Sequence, residues 1–443
     1  MGLNVGYKLT EVGVIPDEWA TTTISKLCTV VRGGSPRPAG DPRYFNGSFV
    51  PWLTVAALTN IPESNLHVSE TVSFLTEEGS KHSRTVQRGT VIIANSGATL
   101  GVAKMLAMTC CANDGVAALI GQTKGDKRFL CYYLNSQTKR LREVVATGNG
   151  QPNLNTTLIG GIVIPLPGDD EQRAIAEALS DTDALISALD RLVAKKRDIK
   201  QAAMQQLLTG NRRLPGFGKE TRTRQTAVYA APGHSRHLST EWKQSTIGEL
   251  IREEGGSVQT GPFGTLLKAS EYATAGLPLI SVGEIGPGVL RIGEKTPRVP
   301  RSVVQRLPEY VLRDGDIVFG RKGAVDRSAL VCGDGAFLGS DALRLRLPRS
   351  CHPPFVACQL QTHIVRTWLL QNAIGTTMAS LNQEILQRVS LLMPPTVQEQ
   401  IAIAAILSDM DAEIAALERR RDKTRLLKQG MMQELLTGRI RLV

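Results

Sequence analysis

Two stretches of this chain share one alternation of apolar and polar positions. Ile175, Leu179, Ile186, Leu189 and Val193 recur at steps of three, four or seven residues, and Ile403, Leu407, Met410, Ile414 and Leu417 do so again. Such spacing is the seam of a coiled coil and predicts a long helix in each place. From Glu171 to about Leu208 the helix would run roughly 55 Å at 1.5 Å per residue. Thr396 with Glu399 forms a capping box at one start, and Asp169 or Asp170 can cap the other. Gly210 and Gly438 are placed as C-terminal stops. The stripe weakens midway, where Lys196, Lys200, Arg421 and Lys428 intrude; Ile199 and Leu427 lie one step aside, which predicts a stutter. A helix with so narrow a stripe needs a partner. The expectation is that the two bury their seams on each other, antiparallel.

The two stretches are copies. Residues 171–214 and 399–442 align without a gap, and 26 of 44 positions are identical. Weaker echoes extend upstream. Gly148-Asn149-Gly150 before Leu154-Asn155 parallels Gly375-Thr376-Thr377 before Leu381-Asn382. Each is followed by an apolar strand and a proline turn, Ile164-Pro165-Leu166-Pro167 and Leu392-Met393-Pro394-Pro395. Ile15-Pro16-Asp17-Glu18-Trp19 answers Ser239-Thr240-Glu241-Trp242. Between these landmarks the halves differ almost completely, so a constant frame surrounds two variable inserts.

Each insert is mixed. Val50–Leu53, Val91–Ala94, Ile317–Phe319 and Leu343–Leu347 read as strands, and Phe129–Leu134 and Phe355–Leu360 as helices. The stretch 214–238 is aperiodic and rich in Gly, Pro and Arg, and reads as a linker. The expected architecture is α+β: two mixed α/β domains at 1–166 and 239–395, a first conserved helix at 167–213, the linker at 214–238, and a second conserved helix at 396–443, with the helices forming an antiparallel coiled coil.

A formal charge of +11 and a pI near 9.4 point to a polyanionic partner, nucleic acid or an anionic membrane surface. No apolar run approaches a membrane span, and the opening Met1–Gly6 fits neither a secretory signal nor a myristoylation site. Seven cysteines without a C-x-x-C pair suit reduced, mostly buried thiols in a cytoplasm rather than disulfides or a zinc site. Phosphate-loop, nucleophile-elbow and H-E-x-x-H motifs are absent, and the six histidines lack ligand spacing, so no catalytic, metal or cofactor site is expected. His352-Pro353-Pro354-Phe355 resembles the tetrapeptide with which adenine methyltransferases grip a target amino group. Its first position needs an acceptor that His does not supply equivalently, and it reads as a loop leading into a helix.

The positive features are basic and polar loops. Arg32, Ser35, Arg37 and Arg43 lie on a Gly/Pro-rich segment, and Asn95 with Ser96 follows a strand. In the second half Gln259 and Thr260 precede Lys268, and Arg321, Lys322 and Arg327 stand where Asn95 and Ser96 stand in the first. Arg and Lys serve phosphates or the guanine edge, and Asn and Gln the adenine edge.

Ile15–Trp19, Pro51-Trp52-Leu53-Thr54, Gly150-Gln151-Pro152-Asn153-Leu154-Asn155, and the Pro-x-x-x-Glu-Gln start of a long helix ending Leu-Leu-Thr-Gly together resemble the DNA specificity subunits of type I restriction–modification systems. Gln259–Gly264 leading to Glu271-Tyr272 is similar to a common opening of their recognition domains. The second half departs in two places: Pro278-Leu279-Ile280-Ser281 lacks the Trp, and the Gly283-Glu284-Ile285 that follows differs from Ala56-Ala57-Leu58. The resemblance implies a non-catalytic subunit with two target-recognition domains, each reading one half of a bipartite, asymmetric site in double-stranded DNA. It also implies two modification subunits, which carry the methylation chemistry and bind S-adenosylmethionine, and restriction subunits that can join them. The helices would then act as a ruler between the half-sites. A self-sufficient methyltransferase and a coiled-coil scaffold without DNA readout stay open as alternatives.

Overall fold

The structure is a computed structural model describing residues 5–97, 99–146, 152–218, 223–226, 236–239, 241–375 and 378–442, with 223–226 and 236–239 by backbone alone. The predicted turn Gly148-Asn149-Gly150 with Gln151, residues Thr376-Thr377, Thr240, and much of the predicted linker lie outside them. The chain divides into two compact units, 1–193 with 416–443, and 194–415.

In the first unit, Ala20–Thr23 pairs antiparallel with Val163–Leu166, so the ends of the mixed region close on each other. Inside, a five-stranded sheet runs in the order Thr29–Arg32, Val116–Ile120, Val91–Ala94, Ala103–Leu106, His67–Val68. A four-stranded sheet runs Ser73–Leu75, Phe45–Leu53, Cys110–Ala112, Arg84–Val86. Successive strand residues face opposite ways, and Val91–Ala94 is buried on both faces. Ile92 and Ala94 meet Leu53, Cys110 and Ala112, while Val91 and Ile93 meet Phe129 and its neighbours on the helix Lys127–Ser136. That double burial is why the strand reads as an unbroken apolar run.

The second unit repeats this plan. Lys243–Thr246 pairs with Ser390–Met393. One sheet runs Ser257–Thr260, Ala342–Arg346, Ile317–Gly320, Ser328–Leu330, and another Arg298–Val299, Leu277–Ile280, Ala336–Leu338, Val311–Leu312. The departure at Pro278–Ser281 leaves the frame intact. Trp52 pairs in parallel with Cys111, and Leu279 pairs in parallel with Phe337 at the matching place. Part of the predicted linker is also structured, because Thr223–Thr226 and Arg236–Ser239 form an antiparallel hairpin just before Trp242. In the first unit Tyr7–Thr10 and Gly13–Pro16 form one just before Trp19.

The long helices span Asp169–Leu207 and Val397–Leu435. They run antiparallel within each unit. In the first, Asp183 pairs with Lys428 at 2.7 Å and Asp190 with Arg425 at 3.0 Å; in the second, Lys200 pairs with Asp411 and Lys196 with Glu413, at 2.5 and 2.6 Å. Ile175, Leu179, Ile186, Leu189, Val193, Ile403, Leu407 and Ile414 are buried, and Met410 and Leu417 are half-buried. The head of each stripe does more than meet its partner helix. Ile175 and Leu179 enter the core around Trp19 and Phe129, and Ile403 and Leu407 that around Trp242 and Phe355.

The stutter is not seen. Ile199 and Leu427 are exposed, and the seam cations Lys196, Lys200, Arg421 and Lys428 each reach an acid on the other helix. Ion pairing removes the need for a change of register. The caps also differ from expectation. Asp169 and Asp170 lie inside the first turn, and Asp170 pairs with Arg173. Thr396 accepts from the Glu399 N–H at 3.3 Å, but the Glu399 carboxylate is taken by Arg213 at 2.5 Å instead of completing the box. Gly210 and Gly438 do end the helices in the left-handed region, at φ 68° and 70°.

Candidate nucleic-acid interface

The identical Glu-Gln pair at each helix head fixes the frame on which the variable loops sit. Glu171 receives Arg441 (2.6 and 2.9 Å) and the Trp19 indole N–H (2.9 Å). Glu399 receives Arg213 at 2.5 and 2.8 Å. Burial pushes the Glu399 carboxyl upward in pKa, and the Arg213 guanidinium opposes that shift. Gln172 and Gln400 each accept a backbone N–H at the start of a domain helix, from Asp126 at 3.0 Å and His352 at 2.7 Å. His352 is therefore the N-cap position of the helix Pro353–Leu360.

From this frame the central sheets present equivalent ends. Gly33 donates to the Val116 carbonyl at 2.8 Å, and Gly261 to that of Ala342 at 3.0 Å. A Cβ on Gly33 would lie 2.0 Å from the Asn113 oxygen, and one on Gly261 1.8 Å from the Gly339 oxygen. Only glycine lets these loops cross so closely. The second loop at each end starts at Asn95 or Arg321, whose N–H groups donate to Gly115 (3.0 Å) and Asp341 (2.8 Å). Their carbonyls accept from Leu154 and Leu381, both at 2.8 Å.

On this shared geometry the side chains diverge. In the first unit Asp114 gathers three of the predicted residues. Ser35 donates to its carboxylate at 2.7 Å, Arg37 pairs with it at 3.4 Å, and Arg32 Nε donates to its backbone carbonyl at 2.6 Å. Asn95 is 1% exposed and spends its amide N–H on the same carbonyl at 3.2 Å, so it braces the loop from beneath rather than facing outward. Ser96 is half-buried and bridges to Asn153. Arg43 is exposed, pairs with Asp41 at 2.7 Å and lies over the Tyr44 ring; that pairing holds the Asp41 carboxyl below its ordinary range.

In the second unit Gln259 and Thr260 lie on the edge strand, with Thr260 hydrogen-bonded to the Gln383 side-chain amide at 2.9 Å. Lys268 and Lys322 are exposed, and Lys322 bridges to Ser380 through its backbone. Arg327 is half-buried, its carbonyl accepting from Gly320 at 3.1 Å. Arg321 Nη1 donates to the Ser340 carbonyl at 3.2 Å, and its guanidinium lies over the ring of Phe263. The structure thus joins Arg32, Ser35, Arg37 and Asn95 through Asp114, and sets Arg321 and Lys322 beside the end of the Gln259–Thr260 strand. Asp114 escapes sequence reasoning, and Phe263 enters it only as part of the Gln259–Gly264 stretch, since neither residue type is a usual base reader.

Among the described residues no helix is long and apolar enough to cross a membrane, and no cluster of His, Cys, Asp or Glu could hold a metal ion. The cysteines are free, with Cys28, Cys110, Cys111, Cys131 and Cys351 buried.

Comparison with known proteins finds relatives over most of the chain. The family model described as type I restriction modification DNA specificity domain matches residues 16–196 and again 240–426. The chain is 24% identical over 316 residues to the type I restriction enzyme MjaVIII specificity subunit of Methanocaldococcus jannaschii, covering 70% of this chain and 67% of the relative. It is 20% identical to the EcoKI specificity subunit of Escherichia coli, covering 97% and 90%. Its fold is similar to the crystal structure of a type I restriction–modification S subunit from M. genitalium, with a TM-score of 0.58, 15% identity and 98% of each chain covered.

Proposed function

The chain belongs to the family of type I restriction–modification DNA specificity proteins, and we propose from that premise that it is the DNA-reading subunit of such a complex. The regions 1–166 and 239–395 act as target-recognition domains, each taking one half of a bipartite, asymmetric site in double-stranded DNA. The conserved helices, 167–213 and 396–443, carry the frame and set the spacing, and 214–238 joins the halves. Two modification subunits bind this chain and supply methyl transfer with its S-adenosylmethionine; restriction subunits can join them. The chain itself performs no catalysis and works in the cytoplasm.

One observation carries this reading. Residues identical between the copies tie the frame together, whereas residues at equivalent sheet ends differ in chemistry. Arg32, Ser35 and Arg37 around Asp114 face the DNA in one half. Gln259, Thr260, Lys268, Arg321, Lys322 and Arg327 do so in the other, with Arg43 and Ser96 at the margins of the first. A shared frame suits a shared partner, and divergent loops suit two different half-sites. Methylome sequencing of cells expressing the chain with its modification subunit tests it. The expected outcome is one methylated motif of two unlike halves around a fixed gap. A single continuous motif, or methyl transfer by the purified chain alone, would overturn it.

A further inference from the structure

We propose that Arg321 and Phe263 form one reading unit for a guanine in the half-site taken by the second domain. Arg321 contacts the base and Phe263 positions Arg321. The inference rests on the DNA-reading role above and names a base within it.

Phe263 is 59% exposed on the loop that follows Gly261. Gly261 is pinned against Gly339, and Gly264 turns the chain back at φ 66°. A phenylalanine held at the surface on so constrained a loop costs solvation, and nothing in the core offsets that cost. Its ring does have one neighbour of consequence, the Arg321 guanidinium, 5.6 Å from the ring centroid. Guanidinium groups stack on aromatic faces, which restricts a side chain that would otherwise sample many rotamers.

Three further ties fix Arg321. Its N–H donates to Asp341 and its carbonyl accepts from Leu381, each at 2.8 Å, and its Nη1 donates to the Ser340 carbonyl at 3.2 Å. Among the described residues, Nε and Nη2 have no hydrogen-bond partner. These two atoms form one edge of the planar fork, and such an edge matches the paired O6 and N7 acceptors that guanine shows in the major groove. Phosphate binding needs no such orientation, since exposed charges like those of Lys268 and Lys322 supply it.

The first domain strengthens the assignment by contrast. At the matching positions it carries Ser35 and Asn95, both bound to Asp114. The same two points of the frame thus hold an aromatic–cation pair in one half and a polar pair in the other.

The test uses the full chain, co-expressed with its modification subunit, read by methylome sequencing. The variants are R321A, R321K, F263A and F263Y. The wild type is expected to require G·C at one position of one half-site. R321A and R321K relax that position, with discrimination falling roughly ten- to hundredfold. F263A relaxes the same position, F263Y keeps it, and the other half-site stays intact in every variant as an internal control for folding. Retention of the motif by R321K with uniformly weaker methylation makes Arg321 a phosphate contact and overturns the proposal. So does relaxation of an A·T pair, or relaxation at different positions by R321A and F263A. A wild-type complex that marks no bipartite sequence overturns the DNA-reading role and this proposal together.

Discussion

Arg213, just past the end of the first long helix, grips both carboxylate oxygens of Glu399 at the head of the second, at 2.5 and 2.8 Å. Arg441 repeats the grip on Glu171 in the other unit. The two are not equal. The Arg213 and Glu399 side chains are 4% and 1% exposed, whereas that of Arg441 is 26% exposed. Removing one partner of a buried pair leaves an uncompensated charge, and such losses run about 3–5 kcal/mol. Arg213→Met should therefore cost about 3 kcal/mol or more, and Arg441→Met less, because the Glu171 left behind, though 5% exposed, keeps the Trp19 indole N–H at 2.9 Å and lies beneath an arginine that solvent reaches. Calorimetric melting of both variants checks this; a smaller loss for Arg213→Met than for Arg441→Met would refute the ranking.

Much of this arrangement could be read from the chain. The duplicated heptads, the doubly buried strands and the matched loop positions all follow from local pattern, because a repeat exposes its own frame. The partners of Glu171 and Glu399 could not be read, since the arginines that meet them stand 270 and 186 residues away. The seam lysines read as faults in the stripe for the same reason. Each is matched by an acid on the other helix, and only the antiparallel register brings the two together. The depth of Asn95 is not legible in the sequence, because side-chain chemistry says nothing of burial. Its amide suits an adenine, yet the strand end carries it beneath Asp114.

The glycines at the sheet ends offer a probe of one recognition loop at a time. A Cβ on Gly33 meets a backbone oxygen at 2.0 Å, and backbone cannot swing aside as a long side chain can. Gly33→Ala should shift the Arg32–Arg37 loop, cost on the order of 1–3 kcal/mol in overpacking, and weaken reading of the first domain's half-site alone. Gly168→Ala, where a Cβ meets nothing within 4 Å, serves as the control. Methylome sequencing decides the matter, and equal damage to both half-sites would count against separate loops.

Exchange of whole domains should be equally separable. Ala20–Thr23 closes on Val163–Leu166, so both ends of the first insert leave from adjacent strands. Replacing residues 15–165 with the corresponding segment of a relative should change one half-site and leave the other half-site and the gap as they were. A change in both halves of the methylated motif would show that reading is not modular.

Lys104 supplies a prediction in pH. It is 2% exposed, and its ammonium donates to the carbonyls of Pro62 at 2.9 Å and Asn65 at 2.5 Å, beside a cleft of about 1520 Å3 that Lys428 and Asp183 also line. Burial first, and the charge of Lys428 second, bring its pKa down to about 8, from 10.5. Between those two values the unfolded chain holds a proton that the folded chain has released, so stability gains from rising pH in that window. The gain begins near pH 8 and is complete by about 10.5, and a shift of that size corresponds to roughly 3 kcal/mol. Buried cysteines work the other way. Cys110 and Cys131 are raised to about 12, so the unfolded thiols lose protons first and stability falls above about pH 9. The contrast between wild type and Lys104→Met reports chiefly the lysine, since both carry the same thiols and burial outweighs Lys104 in raising Cys131. Urea titrations from pH 7 to 10 should show the wild type gaining on the variant as pH rises. Parallel curves would mean that Lys104 keeps its ordinary affinity for protons in the folded chain.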